Sequence, residues 1–156
     1  MTRRYARSEG GSRATDSTPQ NTPTSTTILS SVRLNGERVY TTFSGAVNGE
    51  RFLMYLKENL VPRLRQGDIV VMDNLCSHKV KGVCELIESA GAHAVYLPPY
   101  SPDYNPIEQM WSKIKAILRK IKARSPEALL LALPLAFETV STSDILGWFQ
   151  LGGYCC

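Results

Sequence analysis

Two carboxylates define the chemistry open to this chain. Asp73 closes the short apolar run Ile69-Val70-Val71-Met72, and Glu108 follows Asn105-Pro106-Ile107 at the head of a basic amphipathic stretch. Thirty-four residues lie between them. An acid at the carboxyl end of a buried strand and an acid in the first turn of a later helix can meet at one sheet edge, where open α/β sheets bind ligands. Paired oxygen ligands of this kind suit Mg²⁺. Two or three carboxylates around a pair of such ions stabilise both oxygens of an in-line phosphoryl displacement. Each acid also has an ordinary structural use. Asp73 suits a turn acid capping the helix that begins near His78, and Glu108 stands three residues past Asn105, where it would close a capping box.

Lys113, Lys115, Arg119, Lys120, Lys122 and Arg124 crowd one stretch with no acid among them. Lys115, Arg119 and Lys122 share a helical face with Glu108 and Ser112, so they are placed to hold phosphates beside a reacting bond. A solvated surface is the alternative. Lys113 and His78 complete the candidate DNA-binding set; His78 either approaches a phosphate or is simply exposed. Tyr100 and Tyr104 either stack on a base or pack the loop, with packing expected for at least one.

The elements that must position these groups are legible in order. Residues 1–26 are rich in Arg, Ser, Thr, Gly and Pro and offer no core face, so they read as an extended or disordered leader. Asp16, inside that leader, reads as a solvated loop acid. Thr27 to Leu34 and Val39 to Phe43 read as a hairpin closed by Asn35-Gly36 in a two-residue turn. Asn48 caps a helix carrying Phe52, Leu53, Leu56, Leu60 and Leu64, which Pro62 shortens. Ile69 to Met72 is a central strand, Val80 to Ala90 a helix ended by Gly91, and His93 to Leu97 a strand parallel to the first. Four prolines, Pro98, Pro99, Pro102 and Pro106, stiffen the next nine residues. Asn105 then caps a helix with Ile107, Met110, Trp111, Ile114, Ile117, Leu118 and Ile121 on its apolar face. Ser125-Pro126-Glu127 opens another helix, interrupted at Pro134. A last helix from about Asp144 to Leu151 buries Ile145, Leu146, Trp148 and Phe149.

Composition narrows the class. The 156 residues allow one domain with a core. No apolar run approaches the roughly 18 residues of a bilayer span, and no secretory signal opens the chain. The net charge of +4 is weaker evidence for nucleic acid than its clustering. Cys76, Cys84, Cys155 and Cys156 lack the paired spacing of a zinc site or a secreted framework, so reduced thiols in a cytoplasmic protein are expected. A zinc cluster of Cys76, His78 and Cys84 is the lesser alternative.

Val71-Met72-Asp73-Asn74-Leu75-Cys76-Ser77-His78-Lys79 and Leu97-Pro98-Pro99-Tyr100-Ser101-Pro102-Asp103-Tyr104-Asn105-Pro106-Ile107-Glu108 resemble the second and third blocks of the Asp-Asp-Glu transposases, in their mariner-like bacterial insertion-sequence branch. The likeness is closest over residues 67–124 and continuous from about Thr26 to Tyr154. It implies an α/β, ribonuclease-H-like three-layer fold with a mixed sheet, Mg²⁺ or Mn²⁺ as cofactor, and cleavage and strand transfer at transposon ends. Asp73 and Glu108 would be the second and third acids and the metal ligands. DNA, both transposon ends and target, would be the partner, with self-association or pairing with full-length transposase, in the bacterial cytoplasm at the nucleoid. In the resembled family a first acid lies on a strand upstream of the hairpin, and no apolar strand with an Asp precedes Thr26 here. Residues 27–154 are therefore expected to form a partial catalytic domain lacking its first, central strand, with two unpaired sheet edges and little activity alone. A non-catalytic remnant that binds DNA or pairs with transposase is the rival reading. An unrelated doubly wound phosphoryl-transfer domain using Asp73 ranks last, for want of a glycine-rich phosphate loop.

Overall fold

A computed structural model of the chain describes residues 10, 25–123 and 125–154. Asp16, Arg124, Cys155, Cys156 and most of the leader lie outside the described residues. Strands β1 (Thr26–Val32) and β2 (Arg38–Ser44) pair antiparallel, from Thr26 opposite Ser44 to Val32 opposite Arg38. The connection is longer than the two-residue turn expected. A type I′ turn needs positive φ at both central residues; Gly36 has it, at 95°, and Asn35 does not. Asn35 instead accepts the Glu37 N–H on its side chain at 2.9 Å, and the Gly36 N–H closes on the Arg33 carbonyl at 2.9 Å.

Asn48 caps α1 (Gly49–Tyr55) as expected, accepting the Arg51 N–H at 2.9 Å. The helix then widens to a π turn over Leu56–Leu60 and tightens to a 3₁₀ turn over Val61–Arg63. Pro62 accounts for the change, since its ring clashes with the carbonyl four residues back and it has no N–H to donate. Strands β3 (Ile69–Met72) and β4 (His93–Tyr96) run parallel, Ile69 opposite His93 and Met72 opposite Tyr96. The single helix expected between them is split into a 3₁₀ turn at Cys76–Lys79 and α2 (Val83–Ser89). Gly82, at φ 101°, makes the break, and the Glu85 carboxylate accepts its N–H at 2.9 Å.

Helices α3 (Pro106–Ile121), α4 (Pro126–Glu138) and α5 (Thr142–Leu151) follow. Pro134 does not interrupt α4. It lies on the exposed side between Leu131 and Leu135, so water can satisfy the carbonyl that its missing N–H leaves unpaired. Within α5, Ile145 is buried and Trp148 and Phe149 are partly so, but Leu146 points outward.

The strands separate two cores. Leu29, Val70, Met72 and Ala94 pack with α1 and α2 around Phe52, Leu56, Val83 and Ile87. Ile28, Val32 and Tyr40, on the hairpin's other face, pack on α3, α4 and α5 around Met110, Ile114, Leu118 and Phe137. Each fully buried leucine or isoleucine contributes roughly 2 kcal/mol. This gives three layers, with the expected mixed sheet divided into two separate pairs. Between β1 and β3 lies a cavity of about 550 Å³. One end is pinned by Arg33, which bonds the Asp68 carboxylate and, at 3.0 Å, the Arg63 carbonyl. Among the described residues no single helix is long and apolar enough to cross a membrane.

Candidate active site

Asp73 leaves the end of β3, and Glu108 enters on the first turn of α3. Both line one small cavity of about 160 Å³, walled by Asn74, Leu97, Pro98 and the Tyr100–Pro102 turn. The loop after β3 is tied across the parallel pair, because the Asn74 amide donates to the Leu97 carbonyl and the Leu97 N–H donates to Met72 at 2.8 Å. Parallel pairing thus brings Asp73 beside the start of the proline-rich loop, whose far end is Glu108.

The two acids differ in how they are held. Asp73 Oδ1 accepts the Leu75 N–H at 3.0 Å, the turn-acid arrangement, and His78 Nδ1 stands 2.7 Å from the same oxygen. That Nδ1 is buried and makes no well-aligned hydrogen bond, so the contact is a close electrostatic approach rather than a directed bond. The His78 ring lies on Phe52, centroids 4.2 Å apart, and its carbonyl accepts the Tyr96 hydroxyl at 2.7 Å. Asp73 remains 49% exposed, with Oδ2 unpartnered among the described residues. Turn role and open oxygen therefore coexist in one side chain.

Glu108 forms no capping box. The Asn105 side chain makes no cap bond, and the Glu108 N–H goes to the Asn105 carbonyl at 3.0 Å. Glu108 is exposed, and among the described residues its carboxylate makes no hydrogen bond or ion pair. The site thus holds two accessible carboxylates on rigid supports. Such hard oxygen donors fit Mg²⁺ or Mn²⁺, and Mg²⁺ commonly takes one or two carboxylates and completes its shell with water and phosphate. No group of three or more His, Cys, Asp or Glu side chains converges as metal ligands among the described residues, so Cys76, His78 and Cys84 form no zinc cluster.

The basic residues divide. Lys115 is exposed and Arg119 half-buried on the stripe that begins at Glu108, while Lys122 is exposed just past the helix, as its left-handed C-cap. Lys113 is engaged elsewhere. Its Nζ lies 2.6 Å from Asp144 Oδ2, and Asp144 also accepts the Ser141 N–H at 2.8 Å in the cap of α5. The Lys113 and Ser141 donors hold the Asp144 carboxyl down at about 2. His78 faces Asp73 rather than open solvent. Sequence reasoning missed two supports of the site. The His78–Asp73 contact has a signal, since a turn can fold back across that spacing. The bond from the Tyr154 hydroxyl to the Tyr104 carbonyl, at 2.8 Å, has none; it clamps the proline loop from fifty residues away.

The same arrangement of elements occurs in solved structures. The crystal structure of the Mos1 mariner paired end complex with Mn matches at a TM-score of 0.73 and 18% identity, over 97% of this chain and 48% of that one. The pre-cleavage Mos1 transpososome matches at 0.71 and 18%, with the same coverage. The catalytic domain of Mos1 mariner transposase matches at 0.58 and 15%, over 83% of this chain and 76% of that one. The three-layer fold is therefore that of the Mos1 catalytic domain, and the chain spans about half the length of the Mos1 chains in the two complexes. No curated protein matches the sequence. The family model of the DDE superfamily endonucleases matches residues 1–130, and the chain belongs to that family.

Proposed function

We propose that residues 27–154 are a catalytic-domain segment for metal-dependent DNA strand cleavage and transfer in transposition, with residues 1–26 as a leader. Asp73 and Glu108 are the metal ligands in this reading. The observation that carries it is that both acids line one cavity and both keep open oxygens. Leu75 and His78 fix one oxygen of Asp73, which leaves Oδ2 for a cation. Glu108 is held by the first turn of α3, behind the proline loop. Bound there, Mg²⁺ or Mn²⁺ would lower the pKa of an attacking water and offset charge on the phosphoryl oxygens. Lys115 and Arg119 run along α3 from Glu108, with Arg119 roughly 16 Å away at 1.5 Å per residue, and Lys122 follows as the cap of the helix. They would hold the DNA backbone beside the reacting bond. The first acid of the set would come from a strand set between β1 and β3, along the cavity their edges border. Transposon ends and target DNA are the proposed partners, with a second transposase chain, in the cell's DNA-bearing compartment.

Iron-directed cleavage tests the site without requiring turnover. Fe²⁺ with ascorbate and peroxide cuts a polypeptide next to the bound ion. Cuts are expected near residues 73 and 108, competed by Mg²⁺ and lost in Asp73→Asn and Glu108→Gln. Cuts elsewhere, or none, overturn the assignment. The chain alone is expected to nick DNA weakly, and robust Mg²⁺-dependent cleavage by it would contradict a site built from the two acids that converge among the described residues.

A second reading has support from the same surface. The basic stripe on α3, with two converging acids among the described residues, suits a DNA-binding regulator. Salt-dependent binding that survives Glu108→Gln, without metal-directed cuts, favours it.

A further inference from the structure

Neither loop tyrosine buries its ring, since Tyr100 is fully exposed and Tyr104 is 54% exposed. The chain before α3 is instead held from outside, by the Tyr154 hydroxyl on the Tyr104 carbonyl. That hydroxyl is itself firmly placed. Past α5 the Gly153 N–H donates to the Gln150 carbonyl and the Tyr154 N–H to the Phe149 carbonyl, both at 3.0 Å. This is the pairing of a Schellman motif, and Gly153, at φ 82°, fills its left-handed position. The apolar contact that accompanies such a motif is present too, with the Tyr154 ring edge-on to Phe149 at 5.6 Å between centroids. Gly152 lets the ring lie close, because a Cβ there would stand 3.0 Å from it. Burial pushes the Tyr154 hydroxyl up from its ordinary value, so it remains a donor well above neutral pH.

The anchored carbonyl immediately precedes the start of α3, where a side-chain cap is missing. Asn105 holds the cap position, but its side chain makes no cap bond. The first turn of a helix carries unpaired N–H groups and is where fraying begins. Glu108 stands in that turn. We infer that Tyr154 is a positioning residue for Glu108, anchoring the chain just before α3 in place of the missing cap. The inference rests on the reading of Glu108 as a metal ligand. A second contact supports it. Asp144, at the start of α5, is paired with Lys113 in the middle of α3, and Tyr154, past the end of α5, holds the residue before α3. The two helices therefore run antiparallel, and α5 braces the half of α3 that carries Glu108. The family match ends at residue 130, so the brace comes from a part of the chain beyond it.

The test uses the 156-residue chain and Tyr154→Phe, which keeps the ring on Phe149 and removes only the hydroxyl. Without metal, amide exchange at Asn105 and Glu108 is expected to quicken about fivefold, the change for one lost hydrogen bond. Exchange at the buried Leu133 and Ile145 should stay at the wild-type rate. With Fe²⁺, ascorbate and peroxide, cuts beside residue 108 should weaken relative to those beside residue 73. Gly153→Ala strains the left-handed residue that aims the ring, so it should move both measurements the same way. Unchanged exchange at Asn105 and Glu108 in Tyr154→Phe overturns the proposal. So does a uniform rise that includes Leu133 and Ile145, which would make Tyr154 a general support of the fold. Faster exchange with an unaltered ratio of cuts also rejects it, because the turn would then be held without placing the acid. If wild type gives no metal-directed cuts, the cleavage reading falls, and the exchange rates alone decide whether Tyr154 holds the turn.

Discussion

His78 Nδ1 stands 2.7 Å from Asp73 Oδ1, with the imidazole pressed on Phe52 and only 15% of the side chain exposed. The contact turns the carboxylate so that one oxygen is occupied inside the protein and the other is open. Partners that orient a ligating carboxylate typically matter about 10–100-fold in metal affinity. His78→Ala is therefore expected to weaken Mn²⁺ binding about tenfold, read by the free-Mn²⁺ electron paramagnetic resonance signal. His78→Asn places an amide nitrogen near the position of Nδ1 and should restore much of the loss. Equal Mn²⁺ affinity in wild type and His78→Ala would show that the Leu75 N–H alone sets Asp73.

The α3 stripe makes a separate prediction. Removing one cation that neutralises a phosphate lowers the slope of log K against log salt by roughly 0.9 on duplex DNA. Replacing Lys115 and Arg119 together with Ser should reduce the slope by about two and weaken binding to all sequences alike. Lys113→Ser should change the slope little, because that ammonium is already paired with Asp144. Filter binding at several salt concentrations separates the two cases. A larger slope change from Lys113 than from Lys115 and Arg119 would move the DNA path to the other side of α3.

Asp144 predicts how the fold responds to acid. Its carboxyl is lowered from 3.8 to about 2, first by the hydrogen bond from Lys113 and then by Ser141. A depressed carboxylate stabilises the fold in full above its unfolded value, and that contribution is lost as pH falls through its folded value. The midpoint of urea unfolding should thus decline between about pH 4 and pH 2, and Asp144→Ala should flatten that decline. At pH 7 the substitution also removes the reciprocal cap of α5, at a cost of about 1 kcal/mol. An acid limb that is unchanged in Asp144→Ala would assign it to other carboxylates.

What the sequence made legible is what local chemistry decides. The apolar run before Asp73, the prolines before Glu108 and the 3.6-residue recurrence of Met110, Ile114 and Leu118 all act within a few residues, and each element forms where its residues require. Two misreadings of the site share one cause, which is that a distant element decides. Lys113 has the same type and near neighbours as Lys115, and only the docking of α5 turns it inward to Asp144. His78 is an exposed histidine in any local view, until Phe52 from α1 comes to lie under its ring. Asn35-Gly36 failed for a nearer reason, since the Asn35 side chain preferred the Glu37 N–H to the left-handed geometry of a tight turn.

Pro134 offers the sharpest test of why α4 survives a residue that should stop it. Proline inside a helix costs about 3 kcal/mol relative to alanine, from a missing hydrogen bond and a clash with the preceding turn. Here the helix runs unbroken from Pro126 to Glu138, held on its inner side by Ala132, Leu133, Ala136 and Phe137, with Phe137 stacked on Tyr40 at 4.2 Å. Packing on one face offsets a defect on the other. Pro134→Ala should therefore stabilise the protein by about 1–3 kcal/mol, seen as a higher urea midpoint. Leu133→Ala, at the fully buried position beside it, should cost about 2–5 kcal/mol, whereas Leu131→Ala, 78% exposed, should cost little. If Pro134→Ala is neutral, the unpaired carbonyl is already well solvated and the packed face was never working against it.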